Sequence, residues 1–314
     1  MDSENQTAIK EIVLLGFKVF HVFKIPYFLL FFNLYTFTLT GNAVIIFLVS
    51  CSQHLSHPMF FFLSHLSLSD TLLTTNIVPN MLCIILKGEV TMSVSGCIIQ
   101  YQFFAISLVS ECLLLTVMAY DRYLAICNPL RYNTIMGAKL RYQLVSFCWG
   151  ASVIISLVSA IPISKLKFCG PHVIDHFFCD LVPLLQLSCS DISLVQLENI
   201  LLATPLTLLP ILIISLTYTY IFITILKIPS IVGRQKAFST CSSHLAVVGM
   251  FYGSLVTLYV IPSDGHSLNA NKVLSLIYTV ATPLFNPVIY SLRNKEIRVA
   301  FNKYLHLMRN TDFK

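Results

Sequence analysis

Charge is what this sequence has least of. Only 11% of its 314 residues are Asp, Glu, Lys or Arg, while 56% are hydrophobic. A water-soluble domain is about a quarter charged, so lipid is the expected solvent for most of this chain. No basic block is dense enough to grip nucleic acid, and the net charge is a modest +6. The chain also lacks a His-Glu-x-x-His helix, a Gly-x-Ser-x-Gly elbow, a glycine-rich phosphate loop and paired zinc cysteines, so the common enzyme classes have no footing. Acidic Asp2 and Glu4 stand where a secretory leader has basic residues, and no adequate apolar core precedes Lys24. No cleavable signal peptide is expected, and the first span is expected to act as the insertion signal. Most of the ten cysteines lie inside apolar runs, where Cys behaves as a small hydrophobe.

What is present is a series of apolar runs. A spanning helix needs about 20 apolar residues at about 1.5 Å each. Seven runs qualify: Tyr27–Val49, Pro58–Leu86, Cys97–Ile126, Tyr142–Ile163, Asn199–Leu226, Ala237–Ile261 and Val273–Leu292. The expected architecture is an all-α membrane protein, a single seven-transmembrane helix bundle over residues 1–314. With the N-terminus outside, all seven arginines and six lysines fall inside, thirteen of the twenty basic residues. That bias follows the positive-inside rule. Residues 1–25 are then extracellular, which suits the sequon at Asn5-Gln6-Thr7 and makes Asn5 a glycosylation candidate. Residues 162–198 form a long extracellular loop, and 293–314 a cytoplasmic tail. In that tail Ile297, Val299, Ala300, Phe301, Tyr304 and Leu305 alternate with cations, as in a short amphipathic helix on a membrane surface. Four cysteines lie outside, Cys97, Cys169, Cys179 and Cys189, and the sequence alone leaves three pairings open.

Two acids lie at depth. Asp70 is in the second run, and Glu111 in the third, roughly 20 Å below Cys97 at helical rise. Buried carboxylates are costly and mark function, a shared proton or a bound cation. They also raise the alternative of an ion-conducting or transporting seven-helix protein, against which stands the lack of an internal repeat. Asp121 and Arg122 close the third run. They read either as an interfacial anchor pair reaching water or as a switch in which the Arg is held in one state and released in another. Pro283 and Asn286-Pro287 interrupt the seventh run, where proline removes a backbone bond and permits a kink. Tyr218 and Tyr290 also fit a membrane-interface aromatic belt. No lysine lies within Val273–Leu292, so a lysine-bound chromophore is excluded.

Six stretches, in order, resemble the olfactory receptors among the rhodopsin-like G-protein-coupled receptors: Gly41-Asn42, PMFFFLSHLSLSD (58–70), MAYDRYLAICNPLRY (118–132), the loop KFCGPHVIDHFFCDLVPLLQLSCSD (167–191), KAFSTCSSHL (236–245) and PLFNPVIYSLRNKE (283–296). The HFFCD segment resembles the tetrapod-type class. Departures are mild: Thr217 stands where a serine is usual, His65 for an asparagine, and Phe60 for a tyrosine.

The resemblance implies disulfides Cys97–Cys179 and Cys169–Cys189, tying the loop over the bundle as a lid. It implies an activation switch of Asp121, Arg122, Tyr218, Tyr252, Asn286, Pro287 and Tyr290. A sodium site at Asp70 and Glu111, with Asn286 nearby, is implied as the one bound ion; no other cofactor is expected. The implied ligand site is lined by Phe104, Ala105, Leu108, Val109, Leu202, Leu206, Leu255, Val256, Tyr259 and Thr279. That lining is apolar with two hydroxyls, Tyr259 and Thr279, and suits a small, weakly polar odorant. The implied partner is a heterotrimeric G protein of the olfactory stimulatory type, raising cyclic AMP. The implied location is the plasma membrane, multi-pass, in olfactory neuron cilia. His176, Cys179 and Asp180 have metal-ligand chemistry, but a disulfide role for Cys179 is the better reading.

Overall fold

The structure, a computed structural model, describes residues 9–17, 23–169, 171–259 and 268–311. It is mostly helical. The long helices are α1 (Lys24–Cys51), α2 (Pro58–Lys87), α3 (Val94–Cys127), α5 (Ala138–Ser164), α7 (Ser193–Leu226) and α8 (Ile231–Tyr259). A short α4 (Pro129–Ile135) follows α3, and α6 (Leu181–Leu185) sits in the long loop before α7. The last long helical rod is built from α9 (Leu268–Leu276), a π-helical turn over Ile277–Ala281, and α10 (Thr282–Arg293); α11 (Lys295–Thr311) comes after it.

Among the described residues, six helices are long and apolar enough to cross a membrane: α1, α2, α3, α5, α7 and the rod over Ala270–Ser291. The bundle is turned out accordingly. Phe37, Phe47, Ile154, Leu201 and Leu212 are all more than half exposed, while Asp70, Glu111, Asp121 and Asn286 are buried. The sixth expected run differs. Its helix, α8, has 29 residues and is long enough, about 43 Å, but the polar stretch Ser239-Thr240-Cys241-Ser242-Ser243-His244 dilutes its apolar character.

The first five expected runs each sit inside one helix, most of them extended by a few residues; the sixth, expected to reach Ile261, passes beyond the described end of α8 at Tyr259, and the seventh is spread over α9, the π turn and α10. The reason lies in the caps, which an apolar count does not see. Gly88 ends α2 in the left-handed region at φ 97°, its N–H on the Ile84 carbonyl at 2.7 Å. The Ser93 side chain starts α3 by accepting from the Gly96 N–H at 3.0 Å.

In the final rod the proline effect is specific. Pro287 has no N–H for the Pro283 carbonyl one turn earlier, and the Asn42 side-chain amide of α1 donates to that carbonyl at 3.2 Å. The preceding residue, Gly41, faces Pro287 so closely that a Cβ would lie 3.1 Å from the proline ring. Gly41-Asn42 is thus the bearing on which the proline-interrupted rod rests. Just above it, the π turn carries Thr282 Oγ1 to the Ile277 carbonyl at 3.1 Å.

A three-stranded sheet closes one end of the bundle. The central strand β1 (Glu11–Leu14) pairs antiparallel with β2 (Val90–Ser93), Ile12 opposite Met92 and Leu14 opposite Val90. On its other side β1 runs parallel to β3 (Val173–Ile174). Ile12 and Leu14 point inward and are wholly buried, while Glu11 is exposed, the period-two pattern of a half-buried strand.

Candidate functional site

The sheet end is a stack of aromatic rings under a cross-linked loop. The structure joins Cys97 at the start of α3 to Cys179, and Cys169 to Cys189. The first link draws the segment His176-Phe177-Phe178 down over the bundle. Phe177 and Phe178 are wholly buried, with Phe178 5.2 Å from the Phe104 ring, and Phe104 6.0 Å from Tyr278. Gln100 of α3 braces the same segment, its side-chain carbonyl accepting from the Cys179 N–H at 3.0 Å. His176 is buried between its two phenylalanine neighbours, 4.7 Å from each ring. Burial, reinforced by the cation of Lys272, lowers its pKa to about 3, so it is neutral. With Cys179 in a disulfide and His176 packed on rings, the pair serves structure.

Of the ten residues expected to line a ligand site, Phe104, Val109, Leu255 and Thr279 are buried. Ala105, Leu108, Leu202, Leu206 and Val256 are half-buried, and the Tyr259 side chain lies outside the described residues. Phe104 is the one seated directly under the lid. The Thr279 hydroxyl donates to the Ser275 carbonyl at 2.6 Å, which leaves its oxygen as an acceptor. A separate groove of about 680 Å³ opens between α7 and α8 at the opposite end, lined by Phe222, Ile225, Arg234 and Phe238 among others. None of the ten lines it.

At that opposite end stands Arg122. It is only 8% exposed, so the reading of an anchor pair reaching water is corrected. Its guanidinium folds back on Asp121 at 2.7 Å, and the Tyr132 hydroxyl donates to the other Asp121 oxygen at 2.8 Å. His57 stacks on Tyr132 and shares a 3.3 Å hydrogen bond with it. Burial, with the Asp121 carboxylate close by, raises the Tyr132 pKa, so the phenol remains a donor. Tyr218, expected as a partner of Arg122 on activation, here bonds the His244 ring at 2.7 Å. Tyr252 donates to the Cys112 carbonyl at 3.0 Å. Among the described residues the Tyr290 hydroxyl, Arg122 Nε and His244 Nε2 are buried without a hydrogen-bond partner.

Between the two ends lie the acids. Asn286 donates to Asp70 at 2.9 Å. The other Asp70 oxygen, both Glu111 oxygens, the Ser67 hydroxyl and the Asn286 carbonyl oxygen are buried with no partner among the described residues.

The sequence profile of the olfactory receptor family matches residues 31–307. The chain is 44% identical over 301 residues to olfactory receptor 5P60 of Mus musculus, covering 96% of this chain and 94% of that one. It is 44% identical over 295 residues to olfactory receptor 6P1 of Homo sapiens, covering 94% and 93%, and 44% identical over 303 residues to human olfactory receptor 1J4, covering 96% and 97%. The chain belongs to the olfactory receptor family.

The receptor is therefore a multi-pass membrane protein whose lid, buried acids and arginine cluster occupy successive levels of one bundle. Three contributors were not legible as site residues. Tyr132 and His57 hold Asp121 from outside the third helix; the signal for Tyr132 was its place in the short segment directly after Asp121-Arg122. Lys272 read as one more outer lysine, yet it is 1% exposed. Asn5 lies outside the described residues, as do the side chains of Lys236 and Arg293.

Proposed function

We propose that the receptor binds a small, weakly polar odorant beneath the Phe178 lid and passes that event to a G protein of the olfactory stimulatory type, raising cyclic AMP. The observation that carries this reading is the buried Asp121–Arg122–Tyr132 cluster. An arginine held inside the bundle on a neighbouring carboxylate, with Tyr218 engaged elsewhere, describes a resting state with an alternative set of partners close by. A ligand with higher affinity for the other arrangement would shift the population toward it.

On this reading α8 is the remaining span, giving seven, and its inner end moves outward on activation. Arg122, Lys236 and the segment Ile126–Tyr132 then meet the G protein. The N-terminus and lid lie outside, with Asn5 glycosylated, and α11 lies along the inner membrane face. There Ile297 and Ala300 are buried against the bundle, and Tyr304 donates to the Cys51 carbonyl at 2.7 Å. The receptor would work at the ciliary plasma membrane of olfactory neurons.

The acids between the two ends fit a hard cation by their chemistry, since two carboxylates, a hydroxyl and an amide carbonyl present unpartnered oxygens. Asp70, Glu111 and Asn286 would hold a sodium ion there, whose charge would stabilise the resting packing.

The test is cyclic AMP in cells expressing the receptor with the olfactory G protein, against a broad odorant panel. A dose-dependent response abolished by Arg122→Ala at equal surface level is expected; an undiminished response would overturn the role of Arg122. Ion current without odorant would favour the conducting alternative.

A further inference from the structure

We propose that Lys272 is a positioning residue for ligand binding: it pins the lid to the start of the seventh helix and so sets the height of the roof over the odorant. This rests on the odorant-binding reading above, and its test is built to separate the two.

A lysine is almost never fully buried unless its charge is paired. Lys272 is buried in the opening turns of α9, and its partners come from neither its own helix nor a neighbouring span. Nζ donates to the Gly16 carbonyl at 2.8 Å and to Asp175 at 2.6 Å, and lies 5.8 Å above the Phe17 ring. Gly16 and Phe17 lie two and three residues past the end of β1, and Asp175 directly follows β3. One ammonium thus holds the exits of two strands that are hydrogen-bonded to each other, Val13 N–H to the His172 carbonyl at 2.7 Å and Leu15 N–H to the Ile174 carbonyl at 3.1 Å.

The aim of the Gly16 carbonyl is set by backbone geometry. Gly16 has φ 61°, and a Cβ there would stand 2.7 Å from Ile84. Only glycine makes that turn without strain, and the turn directs its carbonyl to Lys272.

The same lid segment is held again three residues later. Phe178 rests on Phe104, and Phe104 on Tyr278. Lys272 and Tyr278 belong to one continuous helical rod, so Asp175–Phe178 is held above by that rod directly and below by Phe104 of α3, which packs on the same rod. Anything seated against Phe104 lies directly under this bridge. Loss of the upper grip would let Phe178 lift without altering the arginine cluster at the far end.

The experiment uses the full-length purified receptor. Backbone hydrogen exchange is followed at Val13, Leu15 and Gly16 in wild type, Lys272→Met, Asp175→Asn and Asp175→Glu. Odorant potency and maximal cyclic AMP are measured at matched surface level, with the most potent member of a panel of medium-chain aliphatic alcohols, aldehydes and esters. Lys272→Met is expected to raise exchange at these amides by about tenfold or more, since it removes the bonds to the Gly16 carbonyl and to Asp175 together. It should weaken potency to a similar degree while sparing the maximum. Asp175→Asn, at a carboxylate whose side chain is 35% exposed, keeps the fold and moves both readouts less, in the same direction; Asp175→Glu restores them. Unchanged exchange in Lys272→Met and Asp175→Asn overturns the proposal, as does raised exchange with unchanged potency. A wild-type receptor silent to the whole panel counts against the proposed function, and the exchange comparison still decides whether Lys272 pins the lid.

Discussion

The two ends of this bundle are built on opposite principles. At the sheet end the backbone is pinned: strands pair on both sides of β1, Gln100 and Asn76 exchange side-chain-to-backbone bonds at 2.9 and 3.0 Å, and disulfides fix the loop, with His176 Nδ1 the buried atom of the lid that has no partner among the described residues. At the arginine end Arg122 Nε, Tyr290 and His244 hold buried polar atoms with no partner among the described residues. Leaving such an atom bare costs about 1–3 kcal/mol. An alternative arrangement that partnered them would recover part of that cost. On the proposed switch, the contrast separates a part that stays from a part that changes.

Breaking the fixed end should have the largest effect. Cys97→Ser opens a loop of sequence separation 82, for which chain entropy alone gives about 4.5 kcal/mol. The expected outcome is loss of surface expression, read by flow cytometry. Next comes Asp121→Ala, which leaves Arg122 buried without its counter-charge, at about 3–5 kcal/mol. Here the receptor should still reach the surface, with basal cyclic AMP raised several-fold, because the strain falls on the changeable end. Gly41→Val strikes the bearing between the two ends. Its Cβ would press on Pro287, and overpacking of this kind costs about 1–3 kcal/mol; a lower Tm with a reduced maximal response is expected.

The smallest effect sharpens the comparison through pH. The pKa of His176 is lowered to about 3 from its ordinary 6.5, so acid protonates the unfolded chain first. Its contribution is complete above pH 6.5 and is lost as pH falls from 6.5 toward 3, by about 1 kcal/mol at pH 5.5. A Tm that drops with acid in wild type, and drops less in His176→Phe, is the expected result.

The helical runs were legible because lipid asks for one thing, about 20 apolar residues in succession, and composition records it directly. The sixth helix shows where that reasoning thins. Ser239 to His244 are polar, yet the chain continues as helix, since neighbouring helices supply the packing that composition does not. The sheet was hidden for another reason. A four-residue strand such as Glu11–Leu14 carries little pattern of its own, and its partners at Val90–Ser93 and Val173–Ile174 are remote in the chain. Lys272 was hidden in the same way: a lysine looks solvated until the fold brings it a carboxylate and a carbonyl. Of the arginine cluster, Asp121 and Arg122 were plain from their adjacency, whereas Tyr132 and His57 depended on how the chain turns after α3.

The sheet also bears on how the receptor is made. Its central strand is made long before Lys272, which follows Gly16 by 256 residues. Closing so long a loop is entropically slow. One edge of β1 stays bare until β2 at residues 90–93 has been made, the other until β3 at 173–174, and the tie to Lys272 waits for the final rod. Completion of the roof therefore requires segments from both ends of that span to meet, so the lid is among the last parts of the bundle that can close.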